Sequence, residues 1–120
     1  MDKKTLGSWG EDKAANYLRR RGYKILERNF SCRFGEIDII ASKGGYLAFV
    51  EVKLRKDAAF AQAREFVDRA KQKRIITAAE LWLSRHDLDL QPRFDVIELY
   101  APDGMKSRRI EINCIEDAFN

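Results

Sequence analysis

The sequence predicts a β-sheet with helices packed on it, an α/β or α+β sandwich, and three observations predict it. Segments of helical and strand periodicity alternate in the order helix, three strands, helix, two strands, which suits neither a barrel nor a bundle. The 120 residues, 45% of them hydrophobic, carry enough apolar material for one compact core, so one domain over residues 1–120 is expected. With seven Gly, two Pro and no internal repeat, the chain is neither collagen-like nor a repeat array.

The first helix is expected from Thr5 to Arg21, where Leu6, Trp9, Lys13, Ala14, Tyr17 and Leu18 recur near helical spacing and Gly22 ends the pattern. Residues 23–30 and 36–41 read as strands joined by Ser31 to Gly35. Ser42-Lys43-Gly44-Gly45 is a tight turn, so the strand Tyr46 to Arg55 forms a hairpin with the one before it. A helical region follows from about Ala61 to Arg85, with Phe66, Val67, Ala70, Ile75, Ala78, Ala79, Trp82 and Leu83 as its apolar stripe. Asp68 could cap a second start within it. Arg93 to Tyr100 and Arg108 to Asn113 complete the strands, with Pro102-Asp103-Gly104 as a turn between them.

Several chemistries are disfavoured at once. Cys32 and Cys114 form no CxxC or Cys/His cluster and read as packing residues. His86, the sole histidine, sits in a polar loop among Ser84, Arg85, Asp87 and Asp89, which argues against His-based catalysis. No apolar run approaches the ~20 residues of a membrane span, and no signal-like stretch follows Met1 to Thr5, so a cytoplasmic protein is expected. The net charge of +4 is unevenly spread: residues 1–74 hold 18 basic and 10 acidic side chains, residues 75–120 hold 5 and 9. That asymmetry suits a polyanionic partner, although a merely soluble basic surface has the same composition.

The hairpin carries the most specific signal. By strict alternation Ile37 and Ile39 share one face, Glu36 and Asp38 the other, while Glu51, Lys53 and Arg55 share a face of the next strand. A turn centred on Gly44-Gly45 then opposes Asp38 to Glu51 and Glu36 to Lys53. Like charges so placed repel. Either the carboxylates are bathed in water on an exposed face, or a cation lies between them. Mg²⁺ suits the second case, being held typically by one or two carboxylates with waters and phosphate oxygens. It would serve phosphodiester hydrolysis, with Lys53 offsetting charge on the phosphate. Glu36 with Lys53 also reads as an ordinary cross-strand pair. Glu11 has two readings as well: the last residue of a Ser8-Trp9-Gly10-Glu11 capping box, or a core-facing carboxylate in need of a partner.

Gly10-Glu11, Gly35-Glu36-Ile37-Asp38-Ile39-Ile40, Phe49-Val50-Glu51-Val52-Lys53-Leu54-Arg55 and Arg93-Phe94-Asp95-Val96 together resemble the YraN family. That family is similar to Holliday-junction resolvases and is placed with the PD-(D/E)xK nucleases. The resemblance implies a restriction-endonuclease-like αβββαβ core, a mixed central sheet flanked by helices. It also implies Asp38, Glu51 and Glu11 as ligands of Mg²⁺ or Mn²⁺, with Lys53 assisting the transition state. Lys71 and Gln72 fall near a helical polar position of some relatives. Ile37 stands where the nuclease signature has proline, which is not a ligand. DNA is the implied partner, with branched or distorted structures among the candidates, and symmetric cutting by resolvases implies a homodimer. Arg55, Lys71, Lys73, Arg74 and the run Arg19, Arg20, Arg21 are candidate phosphate contacts, the run also reading as a solvated helix end. The alternative is a non-catalytic nucleic-acid-binding module that retains the nuclease fold; a protein-interaction domain is a third reading.

Overall fold

Helix α1 (Leu6–Arg20) begins at Thr5, whose hydroxyl accepts the Ser8 N–H at 3.1 Å. The cap is therefore three residues earlier than a Ser8 capping box would place it, and Glu11 lies inside the helix with its side chain free for tertiary contacts. At the other end the N–H of Gly22 bonds Arg19 C=O and that of Tyr23 bonds Leu18 C=O, both at 3.0 Å. This Schellman closure needs the left-handed backbone of Gly22, φ +91°. The computed structural model describes residues 5–56 and 68–120.

Five strands follow: β1 (Lys24–Cys32), β2 (Gly35–Lys43), β3 (Tyr46–Arg55), β4 (Gln91–Tyr100) and β5 (Glu111–Phe119). They form one mixed sheet in the order β1-β2-β3-β4-β5, in which only β3 and β4 run parallel. Helix α2 (Arg69–Ser84) supplies the crossover that a parallel pair requires. Its cap is Asp68, accepting Lys71 N–H at 2.8 Å. The part of the expected helix around Ala61, Phe66 and Val67 lies outside the described residues.

The two helices cover opposite faces. Ala14, Ala15 and Leu18 of α1 pack with Ile39, Ala41, Ala48, Val50, Ile97 and Leu99. Ile75, Ala78, Ala79 and Trp82 of α2 recur at helical spacing and pack with Phe30, Ile37, Ile40, Leu47, Phe49 and Val96. Trp82 meets Phe49 edge to face at 5.9 Å and donates Nε1–H to Glu27 at 2.8 Å. His86 stacks flat on Trp82, its Nδ1 2.7 Å from the Trp82 carbonyl, so it belongs to a helix end.

The expected alternation of β2 fails at one point. Ile37 and Ile40 face α2 whereas Ile39 and Ala41 face α1, so Ile37 and Ile39 lie on opposite faces. Strand β5 is also longer than expected. Beyond Asn113 its polar residues carry no strand pattern, and its pairing with β4 is irregular between Phe94 and Val96. There Asp95, 1% exposed, accepts the N–H of Asp117, whose φ is +52°, at 3.0 Å. Asp95 also binds Arg93 at 2.8 and 2.9 Å, and Arg93 reaches the Tyr23 hydroxyl. This network ties β5 to β4 and to the start of β1.

Candidate functional site

Strands β2 and β3 pair from Lys43↔Tyr46 to Ile39↔Val50, the register centred on Gly44-Gly45, and the pairing stops there. Asp38 and Glu51 are therefore not opposed in a ladder. Instead Asp38 inserts its side chain where the strands part, and Oδ2 accepts the Val52 N–H at 2.8 Å. The carboxylate replaces a missing ladder partner. Across β1, Asn29 adopts φ +54° and drops out of the pairing that flanks it, the backbone irregularity that accompanies the turned Asp38. Glu36 does not reach Lys53 as a cross-strand partner; it accepts a hydrogen bond from Ser31 at 3.3 Å.

Two groups of side chains meet at this parting. On the α1 side a cleft of about 370 Å³ is lined by Glu11, Asn29, Glu36, Asp38 and Val52 together with the first turns of α1. Glu11, 7% exposed, is held by Arg28 Nε at 3.1 Å, and the same guanidinium binds Asp12 at 2.8 Å. On the α2 side the buried Glu51 Oε1 is met by Lys71 Nζ at 2.7 Å and Lys53 Nζ at 3.5 Å. Helix α1 packs on the sheet here at ordinary contact distance: a Cβ at Gly10 would lie 3.5 Å from Leu99 and 3.7 Å from Leu54.

Asp38 belongs to both groups. Burial and the Glu51 carboxylate push its carboxyl up to about 7, Glu11 and Glu36 adding to the rise and the Val52 N–H opposing it. Lys53 is lowered, by burial and then by the neighbouring Lys71, against the pull of Glu51. Burial is the largest single influence on the Lys71 ammonium and lowers it, but Glu51, Lys53 and Asp38 together outweigh it and Lys71 is raised. The site thus favours the protonated form of Asp38 and gathers two ammonium groups on Glu51.

Among the described residues, no three His, Cys, Asp or Glu side chains converge closely enough to hold a metal ion. A divalent ion of the Mg²⁺ type needs only one or two protein carboxylates, and Asp38 and Glu51 stand close enough to act on each other electrostatically. Burial is the largest cause of the rise at Asp38, and the carboxylates of Glu51, Glu11 and Glu36 add to it. Glu11 is salt-bridged to Arg28 and lines the same cleft as Asp38.

The basic residues separate into classes. Lys71 is turned to Glu51, and Arg55 lies 3.8 Å from the buried Glu98. Lys73 and Arg74 are exposed on the first turns of α2; Arg19 and Arg20 are exposed at the end of α1, with Arg19 bonded to Asn16 and Arg21 over the Tyr17 ring. Two participants escape a reading of the sequence, Arg28 as the partner of Glu11 and Lys71 as the direct partner of Glu51. Strand alternation says nothing of which helix faces which strand.

The sequence pattern of the uncharacterised protein family UPF0102 matches residues 10–99, the span that holds Glu11, Asp38, Glu51, Lys53 and Lys71. The chain belongs to UPF0102. Its relatives extend the match to almost the full length. A UPF0102 protein of Caldanaerobacter subterraneus subsp. tengcongensis is 48% identical over 121 residues, covering 99% of this chain and 98% of the relative. One from Caldicellulosiruptor saccharolyticus is 41% identical over 120 residues, covering 99% and 100%. One from Geotalea daltonii is 47% identical over 120 residues, covering 99% and 92%. UPF0102 corresponds to the YraN family that the Gly-Glu-Ile-Asp and Val-Glu-Val-Lys elements resemble.

Proposed function

We propose that this chain is a metal-dependent endonuclease-like protein that hydrolyses phosphodiester bonds in DNA, branched or distorted structures among them. The observation that carries the reading is the parting of β2 from β3 at Asp38, where Asp38 shares a cleft with Glu11 and is acted on by the carboxylate of Glu51, which Lys53 accompanies. The order of helix, antiparallel three-strand meander, crossover helix and parallel β4 is consistent with a restriction-endonuclease-like core. The excess of basic residues in the first 74 supports a phosphate backbone as partner.

In this reading Asp38 and Glu51 hold Mg²⁺ or Mn²⁺, with Glu11 behind Asp38. Such an ion, when bound, supplies Lewis-acid polarisation of a phosphoryl oxygen and acidifies a water. Asp38 carries a proton below about pH 7, so its carboxylate becomes available as the pH rises past that point. Lys53 places its ammonium beside Glu51, where it offsets charge that develops on the phosphate. Arg28 fixes the Glu11 carboxylate in the cleft wall. Lys73 and Arg74 contact the backbone of the strand.

A second reading, a nucleic-acid-binding module without turnover, draws support from the two lysines that already neutralise Glu51. Cleavage separates the two. Purified protein incubated with single-stranded, duplex and four-way-junction DNA and Mn²⁺ should yield product that disappears in Asp38→Asn and Lys53→Ala. Product undiminished in either variant excludes this site; binding without product in the wild type selects the module. A homodimer is the proposed assembly, and a monomer by sedimentation at high concentration would overturn it.

A further inference from the structure

We propose that Trp9 is a stacking platform for an unpaired base of the DNA strand that enters the Asp38 cleft. The proposal rests on the DNA-processing reading above and narrows its substrate to strands with single-stranded or splayed nucleotides beside the cut.

Trp9 is the only tryptophan besides Trp82, and the two are used differently. Trp82 is 2% exposed and packed in the α2 core. Trp9 is partly exposed on α1 and, among the described residues, packs into neither apolar cluster. Trp9 thus stands outside the core on the helix that also carries Glu11. It lines a cleft of about 340 Å³ with Asp12, Lys13, Asn16, Arg19 and Arg28. Lys13 Nζ lies 5.7 Å from the Trp9 ring centroid. Asp12 is paired with Arg28, so the lining keeps a positive excess from Lys13 and Arg19.

Position makes this cleft part of a path. Arg28 lines it and at the same time grips Glu11, which lines the Asp38 cleft, so the two hollows meet across one guanidinium. A strand whose reacting phosphate sits at Asp38 would carry its next nucleotides over Arg28 to Trp9. A π-face flanked by cations is the chemistry by which unpaired bases are held without sequence readout. Paired bases present no free face to such a ring, so a continuous duplex gains nothing from it.

The test uses the full chain in EDTA, which removes cleavage, with fluorescein-labelled dT15 and a blunt duplex of the same length at low salt. Wild type should bind dT15 with quenching of tryptophan emission, assignable to Trp9 because Trp82 is buried. Trp9→Ala should weaken dT15 binding by about tenfold or more and leave duplex binding within about twofold, while Trp9→Phe, which keeps a ring, should retain most of the affinity. Unchanged dT15 affinity in Trp9→Ala, an equal loss on both DNAs, or dT15 binding without quenching each overturns the stacking proposal and leaves the nuclease reading standing. Failure of the wild type to bind either DNA overturns both. Trp9→Phe, folded as judged by its thermal melt, keeps the comparison valid if Trp9→Ala does not fold.

Discussion

Replacing Asp38 by Asn should make the protein more stable, and more so as the pH rises. The side chain stays the same size, and its carbonyl oxygen can still accept the Val52 N–H that the carboxylate accepts at 2.8 Å. What is lost is the charge. In the unfolded chain Asp38 ionises near 3.8, whereas in the fold its carboxyl is raised to about 7 by burial and by Glu51, then Glu11 and Glu36. A raised carboxyl favours folding only in its protonated form, so the stability it contributes is fully present below about 3.8 and is lost progressively as the pH climbs through about 7. At ~1.4 kcal/mol per pH unit, the rise from 3.8 to about 7 corresponds to about 4 kcal/mol. Urea or thermal unfolding of wild type and Asp38→Asn from pH 4 to pH 8.5 reads the difference. The two should nearly coincide at pH 4 and separate by about 4 kcal/mol at pH 8, a Tm gap on the order of 15 °C. A gap that does not change with pH, or a variant less stable at pH 8, would refute the reasoning. Stability gained by removing a charged group is the mark of a residue kept for chemistry.

Other positions test other parts of the account. Asp95→Ala strips Arg93 of its carboxylate and Asp117 of its acceptor within a buried network, and should cost about 3–5 kcal/mol in urea unfolding. A cost under about 1 kcal/mol would show that the network does not hold β5. Gly22→Ala forces a side chain into the left-handed turn that closes α1 and should cost about 1–2 kcal/mol by the same assay. Replacing the exposed Lys73 and Arg74 together by Ala should lower the slope of log K against log salt for duplex DNA by ~0.9 for each phosphate contact removed. An unchanged slope would take both residues off the DNA path.

Much of the fold is legible in the sequence because the signals are local. Gly44-Gly45 sets the hairpin register that the structure keeps from Lys43↔Tyr46 to Ile39↔Val50, and Asp68 and Gly22 mark helix ends by their backbone chemistry. The site is legible as a set of residues and not as an arrangement. Alternation places Asp38 opposite Glu51, but the strands separate one residue earlier, and Asp38 turns into the gap to satisfy a backbone N–H. A break in the pleat, with Asn29 at positive φ beside it, leaves no trace in a pattern of polar and apolar residues. Arg28 with Glu11 and Lys71 with Glu51 are contacts between helix and sheet, which the order of residues along the chain does not encode. The end of β5 is missed for a similar reason: Glu116, Asp117 and Ala118 are held through the carboxylate of Asp95 and the bulge it caps rather than by an apolar face.

The claim on which the rest depends is that Asp38 and Glu51 form one cation site. Anomalous scattering from crystals soaked in Mn²⁺ at pH 8, where Asp38 is ionised, tests it directly. The account predicts a single strong peak in contact with both carboxylates, absent from crystals of Asp38→Asn. Wild-type crystals with no peak there, or a peak that persists unchanged in the variant, would contradict it.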